Sequence, residues 1–256
     1  MRKAQTKKLQ LFKLSTIKSL HKWLSLLVFI QLFIWLGSGL FFNLMDHSKT
    51  RGIQYKQVPV QREFDTQGLL DVQALLAQSK KTVEDVSLIQ RLGQPYYLLT
   101  YDKGLYRHFK SDKSLVDAYS GEVKVVDIEM ASAIAQSSYS GSAKIANAQK
   151  LKPPIADFLK EQNTLWQVNF ADELNTSVYL NASSGRLVGH SNDDKRFADF
   201  FFMLHFMDYS RLLGKPSSGF NNWQIIFFAL LTLVFCLTGL IWTLELLIKG
   251  RYKFRS

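Results

Sequence analysis

The sequence predicts a membrane α-helical hairpin, two transmembrane helices, joined by an α+β region of two small modules. Three observations predict it. Two apolar runs, Trp23–Met45 and Trp223–Ile248, lie near the two ends of the 256-residue chain. About 20 helical residues cross the hydrocarbon core, so each run can span a bilayer. The net charge of +11 sits in the two tails beside those runs, at Arg2, Lys3, Lys7, Lys8, Lys13, Lys18 and Lys22, and at Lys249, Arg251, Lys253 and Arg255; the remainder balances. Finally, a short pattern recurs 64 residues along the chain. Asp117-Ala118-Tyr119-Ser120-Gly121-Glu122-Val123 reappears as Asn181-Ala182-Ser183-Ser184-Gly185-Arg186-Leu187.

Residues 1–22 read as a basic cytoplasmic tail and 23–45 as the first span. The run is too long for a signal-peptide core and ends in Asn43-Leu44-Met45-Asp46-His47, without the small residues of a cleavage site. It therefore reads as an uncleaved anchor. Residues 223–248 form the second span and 249–256 a second basic tail. Basic flanks mark the cytoplasmic side, so both ends lie inside and residues 46–222 outside. In a Gram-negative cell that is an inner-membrane protein with a periplasmic loop. Glu245, the one charge within the second run, is one turn from Lys249 and is expected to pair with it.

Between the spans, residues 46–127 and 128–195 read as two α+β modules. Each Ser-Gly pair supplies a tight turn between strands, with Gly free to take positive φ. Strand-like runs precede each turn: Val86–Arg91, Pro95–Tyr101 and Gly104–Lys110, then Leu165–Phe170 and Thr176–Leu180. Helix-like segments are Thr66–Ser79, Ile128–Ser138 and Pro154–Gln162. Residues 196–222 hold an aromatic juxtamembrane helix over Arg196–Leu213, broken by Gly214, Pro216 and Gly219.

The composition excludes several classes of function. Charge confined to tails argues against nucleic acid as a partner. The lone Cys236 lies in an apolar run, which excludes an intrachain disulfide, Cys-based zinc or iron–sulfur sites, and a Cys nucleophile in the outer region. No P-loop, G-x-S-x-G or H-E-x-x-H is present, and no catalytic constellation is identified. The histidines are His21, His47, His108, His190 and His205, with no helical i,i+3 or i,i+4 pair. His108 reads as part of a solvated strand face. Oxygen ligation of a cation by His190-Ser191-Asn192-Asp193-Asp194 is outweighed by a plain polar turn. Gly37-Ser38-Gly39 and Thr238-Gly239 are small residues within apolar helices, suited to close packing or to seating a flat group. Gln31 and Asn43 are polar in the same span and are expected to bond to a partner helix.

Several of these residues also carry a resemblance. They are Leu20-His21-Lys22-Trp23-Leu24, Trp35-Leu36-Gly37-Ser38-Gly39-Leu40, the Asp-Ala-Tyr-Ser-Gly-Glu-Val turn, Phe202-Met203-Leu204-His205-Phe206-Met207-Asp208-Tyr209 and Leu237-Thr238-Gly239-Leu240. In this order, over about residues 15 to 250, the chain resembles the PepSY-associated transmembrane family. The resemblance implies a bacterial inner-membrane protein with periplasmic PepSY modules. Several four-span members are implicated in reducing iron–siderophore complexes, with haem held by membrane histidines; this chain has two spans. The resemblance thus implies a component of transmembrane electron transfer or ferric reduction with b-type haem. His21 and His205 stand at the family's positions, and His47 does not.

A neutral imidazole ligates haem iron axially. His21 lies at the inner edge of the first span, and His205 and His47 at the outer edge. One chain can therefore pair His47 with His205 but not His21 with His205. A homo-oligomer can pair His21 with His21, or His205 with His205, and a membrane redox partner can supply the second ligand. The other reading is a non-catalytic module, held at the bilayer by its spans, whose sheet edges bind a periplasmic protein or peptide such as a peptidase.

Overall fold

The computed structural model describes residues 14–60, 62–210 and 223–251. The break at Gly214, Pro216 and Gly219, and most of both basic tails, lie outside the described residues. The chain divides into two compact units. Of the described residues, one contains 14–44, 201–210 and 223–251, and the other 45–60 and 62–200.

The first unit is helical. Helix α1 (Leu14–Leu44) and helix α6 (Trp223–Ile248) contain the two apolar runs, and both are long and apolar enough to cross a membrane. Large apolar side chains remain exposed along both, among them Phe29, Phe33, Leu36, Phe227 and Leu230. That pattern suits helices solvated by lipid rather than water. The expected Glu245–Lys249 pair is present at 2.5 Å, and Lys18 reaches the other carboxylate oxygen at 3.0 Å, tying α1 to α6. Gln31 Oε1 accepts the Tyr209 hydroxyl at 2.7 Å. Asn43, expected to reach a partner helix, instead donates to Gly39 O of its own helix.

The second unit holds two four-stranded antiparallel meanders. After the short helix α2 (His47–Thr50), helix α3 (Val72–Gln78) precedes β1 (Asp85–Arg91), β2 (Gln94–Asp102), β3 (Asp112–Asp117) and β4 (Val123–Lys124). Helix α4 (Ile128–Ser137) precedes β5 (Ile145–Leu151), β6 (Leu165–Phe170), β7 (Ser177–Asn181) and β8 (Leu187–Ser191). Each half is thus one helix and one meander, as the sequence repeat implies. Both Ser-Gly turns join the last two strands of their sheets, and Gly121 and Gly185 take φ of 74° and 62°.

The period-2 geometry of strands sorts the core. On the first sheet, Tyr97, Leu99 and Val116 bury against Leu75 of α3. Alternate residues Tyr96, Leu98 and Leu115 face a second cluster with Ala131, Ile134 and Ala135 of α4. Trp166, Val168, Val178 and Leu180 of the second sheet join that same cluster. Helix α4 is therefore shared by both sheets, and Trp166 Nε1 donates to Val126 O across the join at 2.9 Å. The opposite face of the second sheet, Leu165 and Tyr179, packs on Ile155 and Phe158.

Several expectations are corrected. The helix expected over Thr66–Ser79 starts at Val72, because Asp71 caps Ala74 N and Gly68 takes φ of 90°. Gly104–Lys110 is a folded loop, not a strand; Gly104 packs so closely on Phe109 that a Cβ there would come within 2.6 Å. His108 consequently stacks on Tyr106 in that loop. Pro154–Gln162 forms only a 3-10 turn at Ala156–Phe158, since Gln162 N is drawn to His108 O. Strand β5 is an addition. Its Ala, Asn, Gln and Lys are weak strand formers, and pairing with β6 imposes the conformation. The aromatic helix α5 (Asp193–His205) starts earlier and ends earlier than expected. It starts where Asn192 Oδ1 accepts Lys195 N, and Met207 beyond it takes φ of 50°.

Candidate functional site

Two of the three candidate histidines sit in the helical unit, and each rests on a hydroxyl followed by glycine. His21 of α1 crosses to α6. Its Nδ1 lies 3.1 Å from Thr238 Oγ1 and 3.2 Å from Phe235 O. The ring stacks on Phe235 at 4.6 Å, meets Trp242 edge-on and covers Gly239. A Cβ at position 239 would fall 2.9 Å from His21 Cε1. His205, at the end of α5, crosses to α1. Its Nδ1 lies 2.9 Å from Ser38 Oγ, and its Cε1 faces Gly39. Trp35 Nε1 donates to His205 O at 2.6 Å, and Phe42 packs edge-on against the ring.

These contacts anchor both rings through Nδ1. A carbonyl oxygen only accepts, so His21 Nδ1 donates to Phe235 O. Thr238 Oγ1 also bonds Phe235 O at 2.8 Å, and Ser38 Oγ also bonds Ile34 O at 2.7 Å. Each Nε2 has no hydrogen bond among the described residues. An imidazole oriented through Nδ1–H, with Nε2 unprotonated, has the ligand chemistry that haem iron requires.

His21 and His205 are not brought together. His21 and the His205 contact at Ser38 are 17 positions apart on α1, roughly 25 Å along a helix. The third candidate, His47, is exposed in α2 of the sheet-bearing unit. The missed participants are Ser38, Gly39, Thr238 and Gly239 in this specific role. The available signal was the repeated hydroxyl-Gly pair, one in each span.

The remaining histidine segment is occupied structurally. His190 is buried and its Nε2 lies 3.1 Å from Ser138 Oγ, which also bonds Ala135 O. Burial, with Lys56 nearby, lowers its pKa to about 4. Asn192 Nδ2 and Asp194 both bond Gln54, and Asp193 meets Asn175 and Arg196.

A family described as the PepSY-associated TM region matches residues 19–255. The chain belongs to that family. The PepSY-associated TM match takes in both spans, both histidine seats and the two meanders between them. No curated protein and no solved structure is matched by the chain. Family membership and the two apolar helices together make this PepSY-associated TM chain a membrane protein.

Proposed function

We propose that the chain is an inner-membrane component of transmembrane electron transfer, acting in ferric or ferric–siderophore reduction, and that His21 and His205 hold b-type haem. The single observation that carries this reading is the anchoring of the two imidazoles. Each ring is held through Nδ1 and leaves an Nε2 with no hydrogen bond among the described residues. One chain offers one such nitrogen at each of two levels of the bilayer. Two copies would complete a pair of axial ligands at each level, His21 with His21 and His205 with His205; a membrane redox partner could supply them instead. Haem bound there would supply one-electron transfer. The chain's own residues orient the ligands, and Phe235, Trp242, Trp35 and Phe42 pack their rings against them. On this reading both basic tails lie in the cytoplasm. Residues 46–222, with the two meanders as PepSY modules, then lie in the periplasm.

The test is an absorbance spectrum of the full chain purified in detergent from haem-replete cells, before and after dithionite. A Soret band with sharp α and β bands on reduction is expected, diminished by His21→Ala and by His205→Ala. A featureless spectrum, or one unchanged in both variants, overturns the proposal.

A second reading has its own support. The extended segment Val58-Pro59-Val60 runs beside the outer edge of β1, with a cleft of about 750 Å³ bounded by Leu88, Leu92 and Gly93. Val58 and Val60 are more than four-fifths exposed. An extended peptide adding to that edge would make the chain a membrane-held binding module for a periplasmic protein or peptide. Site-specific photocrosslinking from position 88 of the full chain in cells tests it. A discrete adduct supports the module, and its absence removes the support.

A further inference from the structure

The two Ser-Gly turns repeat one pattern, yet their chemistry differs at three positions: Tyr119 is matched by Ser183, and two charged positions differ as well. The first carries Asp117 and Glu122; the second carries Asn181 and Arg186. In both turns the first side chain does the same structural work. Asp117 Oδ1 accepts from the amides of Tyr119 and Ser120. Asn181 Oδ1 accepts from the amides and hydroxyls of Ser183 and Ser184, at 2.8–3.1 Å. That network settles which amide atom is oxygen. Asn181 Nδ2 then points the other way. The residue is 4 % exposed, and its Nδ2 has no hydrogen bond among the described residues.

Asn181 lines a polar cleft of about 280 Å³ at the seam between the two modules. Lys110, Gln162, Thr164 and Ser183 line it too. Its walls are stitched by Asn163, whose Nδ2 donates to Phe109 O at 2.8 Å and whose Oδ1 accepts Ser111 N at 3.0 Å. The surroundings are basic. Arg186 Nη2 donates to Arg107 O at 3.2 Å and meets Glu161 at 3.4 Å. Arg91 Nε donates to Ser184 O at 3.1 Å. Burial lowers the Arg91 pKa, and Arg186 adds to the effect. Lys113 is lowered by burial and then by Arg186, with Lys103 and Arg107 adding and Asp85 opposing.

We propose that the cleft binds a small anion carrying a carboxylate or phosphate group, with Asn181 Nδ2 and Lys110 Nζ as donors to it. The exchange of Asp117-type for Asn181-type chemistry is what opens the site. An aspartate would present an acceptor and a negative charge where the second module presents a donor. The exchange of Glu122-type for Arg186-type chemistry raises the potential beside it. Among the described residues Asn181 Nδ2 donates to no protein group, so it is free to donate to a ligand oxygen in the cleft.

The test uses the full chain in detergent, titrated calorimetrically with inorganic phosphate and, separately, with succinate at constant ionic strength. Saturable binding of at least one is expected, and the tighter of the two identifies the oxyanion class. Asn181→Asp keeps the turn acceptor that Asp117 already supplies in the first module. It should preserve the melting transition and weaken binding at least about tenfold. Lys110→Gln, an exposed substitution, should weaken binding several-fold and carries the test if Asn181→Asp fails to fold. No saturable binding of either probe, or equal binding by wild type and the folded variants, overturns the proposal.

Discussion

A serine or threonine hydroxyl within an apolar helix ordinarily turns back onto its own carbonyls. Ser38 and Thr238 do so, and each also bonds Nδ1 of a histidine, His205 and His21 respectively. Ser38→Ala and Thr238→Val should therefore leave the helices intact while freeing the ring orientation. If haem binds as proposed, each change is expected to lower its affinity about tenfold or more, measured by haem titration of the apo protein. The two histidines were legible from the sequence because they carry the family resemblance. Their partners were legible only as small residues, because a hydrogen bond between positions 21 and 238 depends on how two helices face one another. His190 makes a separate prediction. Its folded pKa of about 4 lies below the ordinary value near 6.5, so the unfolded chain binds more protons between those limits. Stability should fall as pH drops from about 6.5 toward 4, by up to about 3 kcal/mol. Comparing denaturant midpoints of wild type and His190→Asn across that range should show a slope present in the former and reduced in the latter.

At the level of elements, the hairpin between β1 and β2 combines good and poor turn chemistry. Arg91 faces Gln94, leaving the two-residue loop Leu92-Gly93, with φ of 52° and 85°. Both positions need the left-handed region, where glycine is at ease and leucine is strained. Leu92→Asn should stabilise the fold by roughly 1 kcal/mol, read as a higher melting temperature. Alternation of apolar residues made Val86–Arg91, Pro95–Tyr101 and Leu165–Phe170 legible as strands. It failed for β5, whose burial follows no such alternation and whose ladder to β6 supplies what its residues lack. It misled at Gly104–Lys110, where aromatic residues pack on each other in a loop. Helix α3 was overextended because Leu69 and Leu70 bury against the same core as its true residues. They do so from the segment between the turn at Gly68 and the start of the helix.

For the molecule as a whole, charge and hydropathy predicted two spans, and both apolar runs form single helices. The orientation proposed from the basic flanks can be tested directly. Cys236 is the sole thiol and lies within α6. A cysteine introduced at Leu105, which is 80 % exposed, should react with an impermeant maleimide added to intact spheroplasts, whereas one at Lys249 should react only after lysis. Labelling in the reverse order would invert the topology. The 64-residue repeat was equally legible, but the intimacy of its halves was not, since no local pattern announces that one helix serves two sheets. That sharing has a hereditary consequence. Duplication made two copies of a small module, but the core built around α4 now takes Leu115 from the first sheet and Trp166 and Leu180 from the second. Neither copy retains a complete interior of its own, so later recombination can move the pair between proteins but not separate its members.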